Sequence, residues 1–159
     1  LPVPSANLHI LLDNIRSAWN VGSIFRAADA FGFRHAYLCG ITPTPASAEV
    51  QKTALGAEEM VKWSYHRNSV ELVKGLHQQN YAILALEQTK ASVSMEIALS
   101  AVQAKPVIVL VVGNEVIGID PGILDISDCT CDIPMRGQKR SLNVAMAFAV
   151  AAQILITQC

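Results

Sequence analysis

Three short segments carry more amide, carboxylate, cationic and glycine residues than a packed core has use for. In Asn20-Val-Gly-Ser-Ile-Phe-Arg26 an amide precedes a guanidinium by six residues. Asn20 either caps a helix that begins behind it or orients Arg26 toward a phosphate or ribose. Arg26 is otherwise a solvated helix-face arginine. In Gly113-Asn-Glu-Val-Ile-Gly118 a glycine at each end lets the backbone turn sharply and approach a ligand. Glu115 either bonds backbone amides in a tight turn or binds substrate or cofactor, because a carboxylate just after an apolar strand is costly unless partnered. In Ile133-Pro-Met-Arg-Gly-Gln-Lys-Arg-Ser-Leu-Asn143 an apolar lip precedes three cations within five residues, Arg136, Lys139 and Arg140. That cluster is either a solvated loop or a place where nucleotide phosphates are neutralised. Ser141 and Asn143 are both placed to cap the helix that follows. The middle segment is neither a P-loop nor the G-x-G-x-x-G dinucleotide fingerprint.

Elements that alternate along the chain must position these segments. Leu8–Asp13, Ala36–Cys39, Val61–His66, Tyr81–Leu86, Pro106–Val112 and Thr130–Ile133 read as strands. The spacing of Val21, Ile24, Phe25, Ala28 and Phe31 predicts a helix that stops at Gly32. Further helices are expected over Ala48–Met60, Ser69–Gln79, Met95–Val102 and Asn143–Gln158, with a loop over Thr42–Ser47. Pro106–Val112 is β-branched and apolar on both faces, as suits the centre of a parallel sheet covered on both sides. The fold class is therefore α/β with a mostly parallel sheet, and the chain, 1–159, reads as one domain. Ligands of such sheets lie beyond the carboxyl ends of the strands, where all three segments fall.

Composition narrows the class further. Of the 159 residues 52% are apolar and 16% charged, which excludes a disordered chain. No apolar run approaches the ~20 residues that span a bilayer, and no secretory signal pattern opens the sequence. The net charge of −1 gives no long-range pull toward a polyanion, so any nucleic-acid contact must be local. The thiols Cys39, Cys129, Cys131 and Cys159 and the four histidines have no metal-ligand spacing. Reduced, packed thiols and a cytoplasmic, metal-free protein are expected.

Asn-x-Gly-x-x-x-Arg at 20–26, Val-Gly-Asn-Glu-x-x-Gly-Ile at 112–119 and Ile-Pro-Met-x-Gly-x-x-x-Ser-Leu-Asn-Val-Ala at 133–145 resemble, in order and spacing, the three motifs of the SpoU/TrmH family. Those are S-adenosylmethionine-dependent RNA ribose 2′-O-methyltransferases of the SPOUT superfamily. Thr53-Ala-Leu-Gly-Ala-Glu58 also resembles a segment common in that family, and the likeness runs from about Leu8 to Ile156.

The resemblance implies an α/β sheet with a deep C-terminal trefoil knot, a homodimer and an RNA substrate, transfer or ribosomal. It implies a cofactor, S-adenosylmethionine, held by Leu110, Val111, Val112, Gly113, Asn114, Gly118, Ile133, Pro134, Met135, Ser141 and Leu142. Catalytic roles fall on Arg26, Asn20, Glu115, Ser141 and Asn143, and RNA contacts on Arg16, Arg26, Arg136, Lys139 and Arg140. An arginine is an awkward base because it stays protonated. Arg26 is therefore expected to hold a phosphate and polarise the ribose, with a phosphate oxygen as the alternative proton acceptor. Two other classes compete: a catalytically silent RNA-binding module of the same fold, and a nicotinamide oxidoreductase, which the missing glycine fingerprint disfavours.

Overall fold

The apolar runs lie side by side in one sheet. The computed structural model describes residues 7–158, so Cys159 and the first six residues of the expected domain lie outside it. Strand β1 (Asn7–Asp13) leads into helix α1 (Ala18–Ala30), and β2 (His35–Cys39) into two short helices, α2 (Ala48–Ala54) and α3 (Ala57–Met60). Then come β3 (Lys62–His66), α4 (Ser69–Gln78), β4 (Ala82–Leu86), β5 (Val93–Ser94) and α5 (Met95–Val102). The chain closes with β6 (Val107–Gly113), α6 (Pro121–Ile126), β7 (Cys129–Asp132) and α7 (Val144–Gln158). The strand order is β3-β2-β1-β6-β4-β7-β5, and every strand pairing is parallel.

β6 sits between β1 and β4 and explains the double-sided core. Ile108, Leu110 and Val112 pack with Phe25 of α1, Leu99 of α5 and Phe148 of α7. Val107, Val109 and Val111 point the other way, toward Val73 of α4 and Ile123 of α6. From β1 the chain works outward through β2 and β3, then crosses to β4 on the far side of β6. That reversal leaves a crevice beyond the strand ends.

Among the described residues the second face carries only α4 and α6. Over β1–β3 it is covered by a half-buried layer of polar rings. His9 Nδ1 lies 3.0 Å from Tyr37 Oη, and Ser64 Oγ lies 2.8 Å from His35 Nε2 and 2.7 Å from His66 Nε2. Burial, with help from His35 and Arg34, holds His9 down to about 4. Burial also pushes the Cys39 and Cys131 thiols up to about 12, so both are packed thiols, as expected.

Four expectations change. The helix over Ala48–Met60 is broken in two, because Leu55 and Gly56 both take positive φ (51° and 92°). α6, a helix not among those expected, starts at a Pro in its first turn, capped by Asp120, whose carboxylate accepts from Gly122 N. β5, two residues long, was too short to show a pattern. α1 begins before Val21: Ser17 is its cap and accepts from Asn20 N at 3.2 Å, so Asn20 lies inside the helix with its amide free for other work. No helix among the described residues is long and apolar enough to cross a membrane.

Candidate active site

β1, β4, β6 and β7 end on one side of the sheet, and a cavity of about 660 Å³ opens there. Glu115 joins its parts. Its Oε1 accepts from Arg16 N at 2.8 Å, and its Oε2 from Ser17 N at 2.9 Å and from Asn20 Nδ2 at 3.0 Å. Asn20 Oδ1 in turn accepts from Asn143 Nδ2 at 3.0 Å. Asn143 Oδ1 caps α7 through Ala145 N (2.9 Å) and Met146 N (3.3 Å). One chain of hydrogen bonds thus links all three sequence motifs. Partial burial pushes the Glu115 carboxyl up, but the bonds from Arg16, Ser17 and Asn20 outweigh it and hold the group below its ordinary range. Glu115 thus bonds backbone amides, the first of its two readings, but those of a segment 99 residues away, and it lines the cavity.

The loop after β6 is closed on itself. Asn114 Oδ1 accepts from Val116 N (2.9 Å) and Ile117 N (3.0 Å), while Asn114 N and Gly118 O pair at 3.1 Å. Asn114 Nδ2 reaches across to Asn14 O at 2.8 Å. A Cβ on Gly113 would strike the backbone of Gly118 and Ile119. Gly118 has φ 77°, and a Cβ there would strike the Glu87 carboxylate. These two glycines are therefore required by the loop's own closure, and both also line the cavity.

The cavity brings together Val112, Gly113, Asn114, Gly118, Ile133, Met135, Ser141 and Leu142 of the expected cofactor set, with Asn20, Glu115 and Asn143. Three of that set lie elsewhere. Leu110 and Val111 are fully buried, one on each face of β6, and Pro134 is exposed and does not line the cavity. Arg26 is also apart: it borders a separate recess with Asp29, Leu55, Gly56 and Met60. Arg16, Arg136, Lys139 and Arg140 are exposed, and their side chains make no ion pair among the described residues. The sequence reading missed Ser17, Leu86, Glu87, Gln88 and Asp132, which also line the cavity. Leu86 ends an expected strand and Glu87 and Gln88 follow it, so the strand-end rule alone points to them.

S-adenosylmethionine needs an apolar slot for its base, acceptors for its hydroxyls and ammonium, and a few hundred Å³. Leu86, Val112, Ile133, Met135, Leu142 and Ala147 supply the slot, and Glu87, Asp132 and Ser141 supply polar groups. The residues fit. Among the described residues no group of three or more His, Cys, Asp or Glu is arranged to hold a metal ion.

With this geometry in view, the chain belongs to the SpoU rRNA Methylase family, whose model matches residues 7–153. It is 31% identical over 144 residues to a tRNA (guanosine(18)-2′-O)-methyltransferase of Aquifex aeolicus, covering 91% of this chain and 66% of that protein. It is 28% identical over 141 residues to a 23S rRNA (guanosine(2553)-2′-O)-methyltransferase of Bacillus subtilis, covering 89% and 54%. The AdoMet-bound rRNA methyltransferase from Sinorhizobium meliloti superposes with a TM-score of 0.86 at 26% identity, over 97% of this chain and 57% of that one. The chain thus spans between about half and two thirds of the length of these relatives.

Proposed function

We propose that this chain is a methyltransferase domain that methylates a ribose 2′-hydroxyl of transfer or ribosomal RNA, with S-adenosylmethionine bound in the strand-end cavity. The observation that carries this is the Glu115–Asn20–Asn143 chain, which ties three distant segments together at the rim of a cavity of the right chemistry. When bound, S-adenosylmethionine supplies an electrophilic methyl group on a sulfonium sulfur. The protein's part is alignment, since attack in line demands that the acceptor oxygen be fixed. Glu115 sets the orientation of the Asn20 amide, and Asn143 holds Asn20 from the other side. Ser141 places a hydroxyl on the same cavity.

Arg26 borders a separate recess and does not line the cavity of its own protomer, so the proposal includes a homodimer in which it serves the partner's. α7 buries one stripe, Phe148, Ala151, Ala152 and Leu155, and leaves Met146 and Val150 exposed at 59% and 41%. That exposed apolar face suits a second copy. Arg16, Arg136, Lys139 and Arg140 would then form an RNA surface doubled by symmetry, which answers the weak net charge. A cytoplasmic setting and the C-terminal trefoil knot belong to the same reading. The test is methyl transfer from labelled S-adenosylmethionine to unmodified total RNA, with the modified nucleotide mapped. Absence of 2′-O-methylation by a dimer that binds S-adenosylhomocysteine would leave the silent RNA-binding module instead. Light scattering showing only monomer at micromolar concentration would remove the shared site.

A further inference from the structure

We propose that Glu87, the residue that follows β4, selects the nucleoside half of the cofactor by accepting its vicinal ribose hydroxyls. This rests on the cavity being the S-adenosylmethionine site. Glu87 is partly buried and lines the cavity. Its backbone is fixed between two strands, since Glu87 N donates to Cys131 O at 2.9 Å. Its carboxylate is fixed too: Oε2 accepts from Ile119 N at 2.9 Å, and Gly118 closes over it so tightly that no Cβ fits. Oε1 accepts no hydrogen bond among the described residues, so a rigidly held carboxylate keeps one oxygen for a donor from outside.

The sheet order says which donor. Asn20 follows β1 on one side of β6, and Glu87 follows β4 on the other. Strands lie about 4.8 Å apart, so the two ends of the cavity are separated by about 10 Å. The reacting end is marked by Glu115, Asn20 and Asn143. The opposite end, where Leu86, Ile133 and Met135 supply apolar surface, is left for the base and its ribose. Hydroxyls donating to a carboxylate form short, charge-assisted bonds, and the open Oε1 of this tethered carboxylate is placed to take them.

Calorimetry on the full chain tests this with two probes. S-adenosylhomocysteine carries both nucleoside and amino-acid ends, whereas 5′-methylthioadenosine carries only the nucleoside. Glu87→Ala should weaken both by about tenfold or more, and by the same factor. Glu87→Gln keeps an acceptor for Ile119 N but loses the charge, and should weaken both severalfold at an unchanged melting temperature. If Glu87→Gln weakened S-adenosylhomocysteine but left 5′-methylthioadenosine untouched, the carboxylate would face the amino-acid end and the inference would fail. If both variants melted lower with affinities unchanged, Glu87 would be only a loop latch, which also overturns it. A parent protein that bound neither probe would sink the cofactor site itself, a different result from either of these.

Discussion

Asn20 and Arg26 on α1 come from one seven-residue motif and live in opposite surroundings. Asn20, in the first turn, is held by Glu115 and by Asn143, and the turn before it is held by Glu115 again. Arg26, two turns on, is exposed and makes no side-chain hydrogen bond or ion pair among the described residues. Helix geometry forces the division. Six residues advance the helix by about 9 Å and turn it by about 600°, so the two side chains leave on different faces. One end of the motif is built within the protomer, and the other is left for something outside it.

The sharpest way to break that comparison is Arg26→Ala. On the proposed function it should lower single-turnover methyl transfer by about 10²–10³-fold with S-adenosylhomocysteine affinity unchanged. Arg26→Lys should rescue poorly, because a point charge does not reproduce a planar fork. Parent-like turnover in Arg26→Ala would make this residue an ordinary solvated arginine.

The built end should respond differently. Glu115→Ala strips the acceptor from Arg16 N, Ser17 N and Asn20 Nδ2, at a cost of about 1–3 kcal/mol. Denaturant midpoints and transfer rates should therefore fall together. A variant that lost rate with full stability would show that Glu115 acts on substrate directly. Asn143→Ala should cost about 1 kcal/mol as a lost helix cap. Asn143→Ser restores the cap but is too short to reach Asn20, so it should recover stability and not activity. Recovery of both would separate Asn143 from the Asn20 link.

Acid gives the smallest effect. The folded-state pKa of Glu115 lies below its ordinary 4.5, so its contribution is present above about 4.5 and is lost as pH falls through the lower folded value. His9, held at about 4 from 6.5, adds its own loss as pH falls from 6.5 toward 4. The Glu115 part is therefore read as the difference between parent and Glu115→Gln. Stability curves that stayed parallel below pH 4.5 would contradict it.

Much of this was legible in the residues. β6 announced itself by six apolar residues in a row, because a strand buried on both faces has no polar side to alternate with. Met95–Val102 is helix to the residue expected, and the structure adds its cap, the Ser94 hydroxyl accepting from Ile97 N. The three motif segments were visible because their residue types suit no core. What stayed hidden depends on neighbours distant in sequence. Leu55 takes a left-handed φ that no local signal requires of a leucine. That Gly113 must clear the backbone of Ile119, and Gly118 the carboxylate of Glu87, depends on partners no local signal names. Glu87 carries no motif at all, and only its place at the end of β4 marks it.

The pairing of β1 with β6 also has a timetable. Asn7 lies opposite Val107 in the sheet. During synthesis at about 5–20 residues per second, β1 and its neighbour β2 wait roughly 5–20 seconds for the strand that completes their side of the sheet. β4 waits for the same strand on the other side. Until β6 leaves the ribosome, the edges of β1 and β4 that face it stand open, each a template for pairing with another chain. The strand that centres the finished fold thus arrives after both strands it joins, and chaperone demand should be greatest in the interval before it does.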